Sequence, residues 1–206
     1  MNKHSKTFLE IEVGSSFVLL LSLIFFFSDW KLPLSIIICV LIHETGHLTA
    51  MEILGIHPLR IKADISGFTI ESKGQEDFFK NIIIALAGPL FGIMQCILFS
   101  LLNTLSGIEF LSFCAKVSLL INLYNLLPII PLDGGRVMKE LFIKILGTKP
   151  GNKLSFYTSL LLASALECTG IYLMLKKDGP ALALGALWPL LWQLNSACKK
   201  RRFGIK

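Results

Sequence analysis

"PLSIIICVLIHETGHLTAMEIL", residues 33–54, holds His43, Glu44 and His47 inside a stretch that is otherwise almost wholly apolar. Its length is close to the ~20 residues that carry a helix across a bilayer. The fold turns on whether this is a membrane span or the core helix of a soluble domain. Ionisable side chains at membrane depth are costly, so finding them together on one apolar helix points to function.

The rest of the chain favours the membrane. Of its 206 residues, 53% are hydrophobic and 17% charged, and the mean hydropathy is +0.68, whereas soluble domains carry closer to about 25% charge. Apolar spans can be drawn at 13–28, 33–54, 81–102, 109–128, 154–175 and 180–197. The expected fold is therefore an all-α polytopic membrane protein with about six transmembrane helices. The first span follows Lys3 and Lys6 but runs into "SDWKLP" without a small-x-small cleavage site, so it reads as a retained helix. Between the second and third spans, "PLRIKADISGFTIES" alternates apolar and polar residues around Ser66-Gly67, which predicts a small β-hairpin; the alternative is a plain connecting loop. Cys39, Cys96, Cys114, Cys168 and Cys198 lack CxxC spacing and mostly lie within apolar runs, as small buried hydrophobes do.

The net charge of +6 forms no patch of the kind that would bind nucleic acid. With the N-terminus in the cytoplasm and the spans alternating, only Lys31, Lys176 and Lys177 face outward and Lys116 falls within a span. All the others of the 20 Lys and Arg lie on the cytoplasmic side. The positive-inside rule selects this orientation, with both termini cytoplasmic.

His43-Glu44-Thr45-Gly46-His47 fits H-E-x-x-H. Positions i and i+4 share a helix face, so the imidazoles can reach one ion while the glutamate lies beside it as a general base. The alternative, a pair of core histidines, weakens in lipid, where every buried polar group needs a partner. One Zn2+ suits imidazole and carboxylate ligands with a position left open, and a third protein ligand is then required. The HExxH pattern extended by a third histidine needs His at position 53, which is Ile53. Glu52 lies roughly 140° round the helix from His47. His57 follows Gly55, and His4 is in the N-terminal tail.

Asp133, in "NLYNLLPIIPLDGGRV" at 122–137, is the better candidate. Pro128 and Pro131 break the fourth span, and non-helical backbone at membrane depth is tolerated where protein buries it or it lines a watery cavity. His43–His47 lie about 15–21 Å along the second span, in its cytoplasmic half, and the fourth span delivers Asp133 to the same side. The alternative role for Asp133 is an N-cap of the helix that follows. Two further polar residues within the spans, Lys116 and Glu167, fall at similar depth and are expected to form a structural ion pair, while Gln95 is expected to make an ordinary interhelical contact.

These residues resemble the site-2 proteases, the family of intramembrane zinc metalloproteases. His43, Glu44 and His47 match its HExxH, Asp133 in "PLDGG" matches its aspartate ligand, and "LAGPLFG" at 86–92 is similar to its AGP element. The likeness runs from about residue 10 to the sixth span. Within the family, "SGFTIES" and "YNLLPIIPLDGGR" look like the sporulation branch, which processes a pro-sigma factor. The resemblance implies a protease acting near the cytoplasmic face on a membrane-associated or membrane-spanning peptide or protein. A membrane-borne inhibitor or regulator is a further expected partner. It also implies that Asn125 positions substrate backbone, where the plainer reading is an interhelical hydrogen bond. The strands at Gly67 and Phe68 would offer an edge to an unwound substrate. That branch carries a CBS domain, whereas only "KKRRFGIK" follows the last span here. The expectation is one six-helix domain over 1–198 and a short basic tail over 199–206, with no PDZ or CBS domain. The competing reading is a metal-binding transporter or chaperone, which would use the histidines and have little need of Glu44.

Overall fold

The computed structural model describes residues 10–64, 67–72 and 77–175. In chain order the elements are β1 (Glu10–Val13), α1 (Ser15–Phe27), α2 (Lys31–Ile53), β2 (Pro58–Asp64), β3 (Gly67–Ser72), α3 (Phe78–Ser106), α4 (Glu109–Asn125), α5 (Asp133–Leu146) and α6 (Thr148–Leu175). Contacts divide the chain into two compact units, Met1–Asn122 and Leu123–Lys206.

Within the first unit, α2 covers the decisive stretch. Pro33 sits in its first turn, where a missing N–H costs nothing. At its far end Gly55 adopts φ 70°, Gly55 N–H donates to Glu52 O at 3.0 Å and Ile56 N–H to Met51 O at 2.8 Å. This is the Schellman arrangement, and Ile56 and Met51 pack in one buried cluster with Ala50 and Ile84, as that motif favours. α3 begins where the Asp77 carboxylate accepts from Phe78 N–H at 2.8 Å and ends at Gly107, whose φ of 68° an L side chain resists. β2 pairs antiparallel with β3, from Pro58↔Ser72 to Asp64↔Gly67. β1 adds in parallel on the other side of β2, with Glu10 opposite Arg60. β1 was not among the expected elements.

The exposed residues of α3 explain its solvent. Leu86, Leu90, Met94, Ile97, Leu101 and Leu105 are all exposed and follow one another at three- to four-residue spacing, which makes a continuous apolar stripe. A water-soluble monomer rarely displays such a surface. Gly88, Gly92 and Gln95 lie buried on the helix's other face.

In the second unit the segment between α4 and α5 is held by side chains. Ile129 and Leu132 bury against Ala163 of α6, with Tyr124, Leu127 and Leu166 around them. Ile130 N–H donates to the fully buried Ser159 hydroxyl of α6 at 2.7 Å, so a backbone donor outside any helix is satisfied without water. The Ile130–Pro131 peptide is cis. α5 carries Arg136, Lys139 and Lys144 between apolar residues, and Gly147 at φ 84° ends it.

Among the described residues, three helices are long and apolar enough to cross a membrane: Lys31–Ile53, Phe78–Ser106 and Thr148–Tyr172. They match the second, third and fifth expected spans. The first and fourth are represented by helices of 13 and 17 residues, and the expected sixth, 180–197, lies outside the described residues. The observed architecture is mostly helical and multi-pass.

Candidate metal centre

α2 places His43 and His47 one turn apart on its buried face, each 4% exposed. Their rings stand edge-on, with centroids 4.8 Å apart at 79°, and the two Nε2 atoms are 3.1 Å apart. What lies behind each ring decides which nitrogen carries the proton. His47 Nδ1 is 2.7 Å from the Ile84 carbonyl oxygen, which can only accept, so Nδ1–H donates. His43 Nδ1 is 2.8 Å from Asn122 Oδ1. The Asn122 amide is oriented because its Nδ2 donates to Ser118 O at 2.7 Å, which leaves the oxygen facing the imidazole. In its neutral form each ring is therefore the Nδ1–H tautomer, with its lone pair on Nε2. A cation placed between the two Nε2 atoms would be held by both lone pairs. Imidazole nitrogens bound to one tetrahedral zinc sit about 3.3 Å apart, from bonds of about 2.0–2.1 Å, so the pair fits such an ion.

Helix α3 can approach the imidazoles because of its glycines. A Cβ on Gly88 would lie within contact-breaking distance of His47 Nε2 and 2.8 Å from His43 Nε2. On Gly92 it would collide with the Asn122 amide. Gly46, between the histidines, has its own ideal Cβ position 2.6 Å from Ala87 O. "LAGPLFG" thus supplies, through Gly88 and Gly92, the small residues against which the imidazoles and the Asn122 amide pack.

Glu44 is half-buried on α2, about 100° round the axis from His43. Glu52 and His57 are exposed. Asn125 is the last residue of α4 and half-buried. Gly67 and Phe68 open β3, which is the edge strand of the sheet order β1-β2-β3.

In the second unit Asp133 is 6% exposed and is the first residue of α5. The helix's N-cap is Leu132, without a side-chain cap. Asp133 thus occupies the first helical position rather than the N-cap position. Oδ1 accepts from Arg136 Nη1 at 3.4 Å, and the backbone of Gly134 and Gly135 presses against Leu126 and Ile129, where a Cβ would clash.

The expected pairing of Lys116 with Glu167 joins residues of different units. Within the first, Lys116 lines a cavity of about 370 Å³ with Lys31, Asn103, Glu109, Phe110, Ser112 and Phe113. Within the second, Glu167 Oε2 is buried with no hydrogen-bond partner among the described residues. Gln95 does make interhelical contacts, accepting from Ser118 Oγ at 3.1 Å and donating to Cys39 Sγ at 3.5 Å. Asn122 escaped the sequence reading. A buried Asn in "SLLINLYN" signals only that a partner must exist, and nothing in the spacing says that the partner is His43.

Residues 102–166 match the family model described as Peptidase family M50. That segment contains Asn122, Asn125 and Asp133 but not the HExxH. Stage IV sporulation protein FB of Bacillus subtilis (strain 168) is 29% identical over 178 residues, covering 84% of this chain and 62% of that protein. The chain thus spans about three fifths of the length of that curated relative. The site-2 protease from Methanocaldococcus jannaschii matches with a TM-score of 0.73 at 22% identity, over 90% of this chain and 89% of that one.

Proposed function

We propose that this chain, with the fold and relatives of a site-2 protease, is a zinc-dependent intramembrane endopeptidase. It would cleave a membrane-associated or membrane-spanning substrate near the cytoplasmic face. The observation that carries the reading is the histidine pair: both Nδ1 atoms are engaged from behind, and the two Nε2 atoms lie 3.1 Å apart. His43 and His47, both buried, would supply two ligands to one ion. Asp133 would be the third ligand, its anionic charge offsetting part of the ion's.

A zinc ion held by these residues supplies Lewis acidity towards a carbonyl and lowers the pKa of water. The chain's own residues do the remainder. Glu44, half-buried one position after the first ligand, takes a proton from water and delivers it to the departing amine. The edge strand β3, from Gly67, pairs with an unwound substrate through its main chain, because a helical peptide's carbonyls are already engaged. Asn125 holds the substrate backbone near the break after α4. The sporulation likeness of the motifs and of the Bacillus relative supports a pro-sigma factor as the substrate. The bilayer, both termini in the cytoplasm and a membrane-borne regulator complete the proposal.

Glu44→Gln separates protease from metal carrier. In co-expression with candidate pro-sigma factors, the intact chain should cleave one of them. The variant should cleave none while keeping its zinc. Cleavage by the variant at the rate of the intact chain would overturn the proposed mechanism.

A further inference from the structure

We infer that Asn122 is the positioning residue that fixes the tautomer and orientation of His43 for the metal; the inference rests on the metal reading above. The two histidines are held differently. His47 leans on a backbone carbonyl, Ile84 O, which no substitution at position 84 removes. His43 leans on a side chain, Asn122 Oδ1, so this half of the clamp depends on a replaceable group.

That side chain is held from every direction. Asn122 is fully buried. Its Nδ2 donates to Ser118 O at 2.7 Å and approaches Ser118 Oγ at 3.3 Å. The Ser118 hydroxyl is placed between two acceptors, Gly92 O at 2.8 Å and Gln95 Oε1 at 3.1 Å. Gln95 Nε2 donates to Cys39 Sγ at 3.5 Å, and the Cys39 thiol faces Cys114 O at 3.5 Å. The path therefore leaves α2 at His43, crosses α4 and α3, and returns to α2 at Cys39, one turn before His43. Flipping the amide would set Oδ1 against Ser118 O, two acceptors face to face, so the network enforces one orientation. Gly92 leaves the space in which the amide sits. A buried asparagine in an apolar bundle could be structural glue. Here its acceptor is aimed at the nitrogen opposite the proposed ligand atom, which is how an outer partner sets the ring's tautomer and raises its basicity as a ligand.

The test uses the full-length chain in detergent, with Co2+ as the probe metal. Affinity is read by chelator competition and the histidine tautomers by selective 15N labelling. Asn122→Leu should melt as a folded protein, bind Co2+ 10- to 100-fold more weakly, and lose the Nδ1–H signature of His43 while His47 keeps its own. Asn122→Asp, which retains an acceptor for Nδ1–H, should bind within about threefold of the original chain and keep the signature. A folded Asn122→Leu binding within that same margin would overturn the inference. If the Leu variant does not fold, the Asp variant decides: Nδ1–H on His43 supports the proposal, and a deprotonated Nδ1 overturns it. Failure of the original chain to bind metal in a His43-dependent way would instead sink the metal reading itself.

Discussion

At the scale of single residues, the site was legible where its geometry is local. His43 and His47 share a face because a helix repeats every 3.6 residues, and that much is written in H-E-x-x-H. Asn122 and Gly88 act across helices, and no spacing within one segment encodes which residue of another helix will face it. Gly88 gives a direct check. Its missing Cβ is what leaves room for both Nε2 atoms, so Gly88→Ala should weaken zinc binding at least tenfold, of the order seen when a metal site's supports are disturbed. Equilibrium dialysis against zinc buffers measures it, and unchanged affinity would mean that α3 does not shape the clamp.

Among the elements, the long apolar runs gave helices close to their expected bounds: 33–54 became Lys31–Ile53 and 81–102 became Phe78–Ser106. The fourth span ends at Asn125 because the chain beyond it runs through Pro128 and Pro131, which cannot donate to a helix. β1 went unseen because Glu10–Val13 has no turn linking it to a neighbouring strand; it joins β2 in parallel across the whole of α1 and α2. Parallel pairing of distant segments leaves little local trace. The segment between α4 and α5 depends on Ser159, whose hydroxyl accepts from Ile130 N–H. Ser159→Ala should orphan a backbone donor and lower stability by about 1–3 kcal/mol. Thermal unfolding of the detergent-solubilised chain would register this as a lower midpoint, and an unchanged midpoint would show that water or another group satisfies Ile130.

For the whole molecule, the charge distribution is the argument for the proposed topology. The positive-inside rule, applied to the Lys and Arg that flank the expected spans, would put both termini on one side, with Lys31, Lys176 and Lys177 on the other. Fusing a cytoplasm-active fluorescent reporter to the C-terminus should give signal, and an export-dependent phosphatase at the same point should be silent. The reverse pattern would invert the topology and put the proposed cleavage on the wrong face. The candidate ligands come from opposite halves of the sequence, His43 and His47 from the first compact unit and Asp133 from the second. The ion is thus proposed to draw ligands from both, and the most direct test looks at the ion. The zinc K-edge absorption spectrum of the purified, zinc-loaded chain should show only nitrogen and oxygen neighbours at about 2.0–2.1 Å, with the outer-shell scattering of two imidazoles. Sulfur at about 2.3 Å, or an unaltered spectrum in Asp133→Ala, would contradict the account.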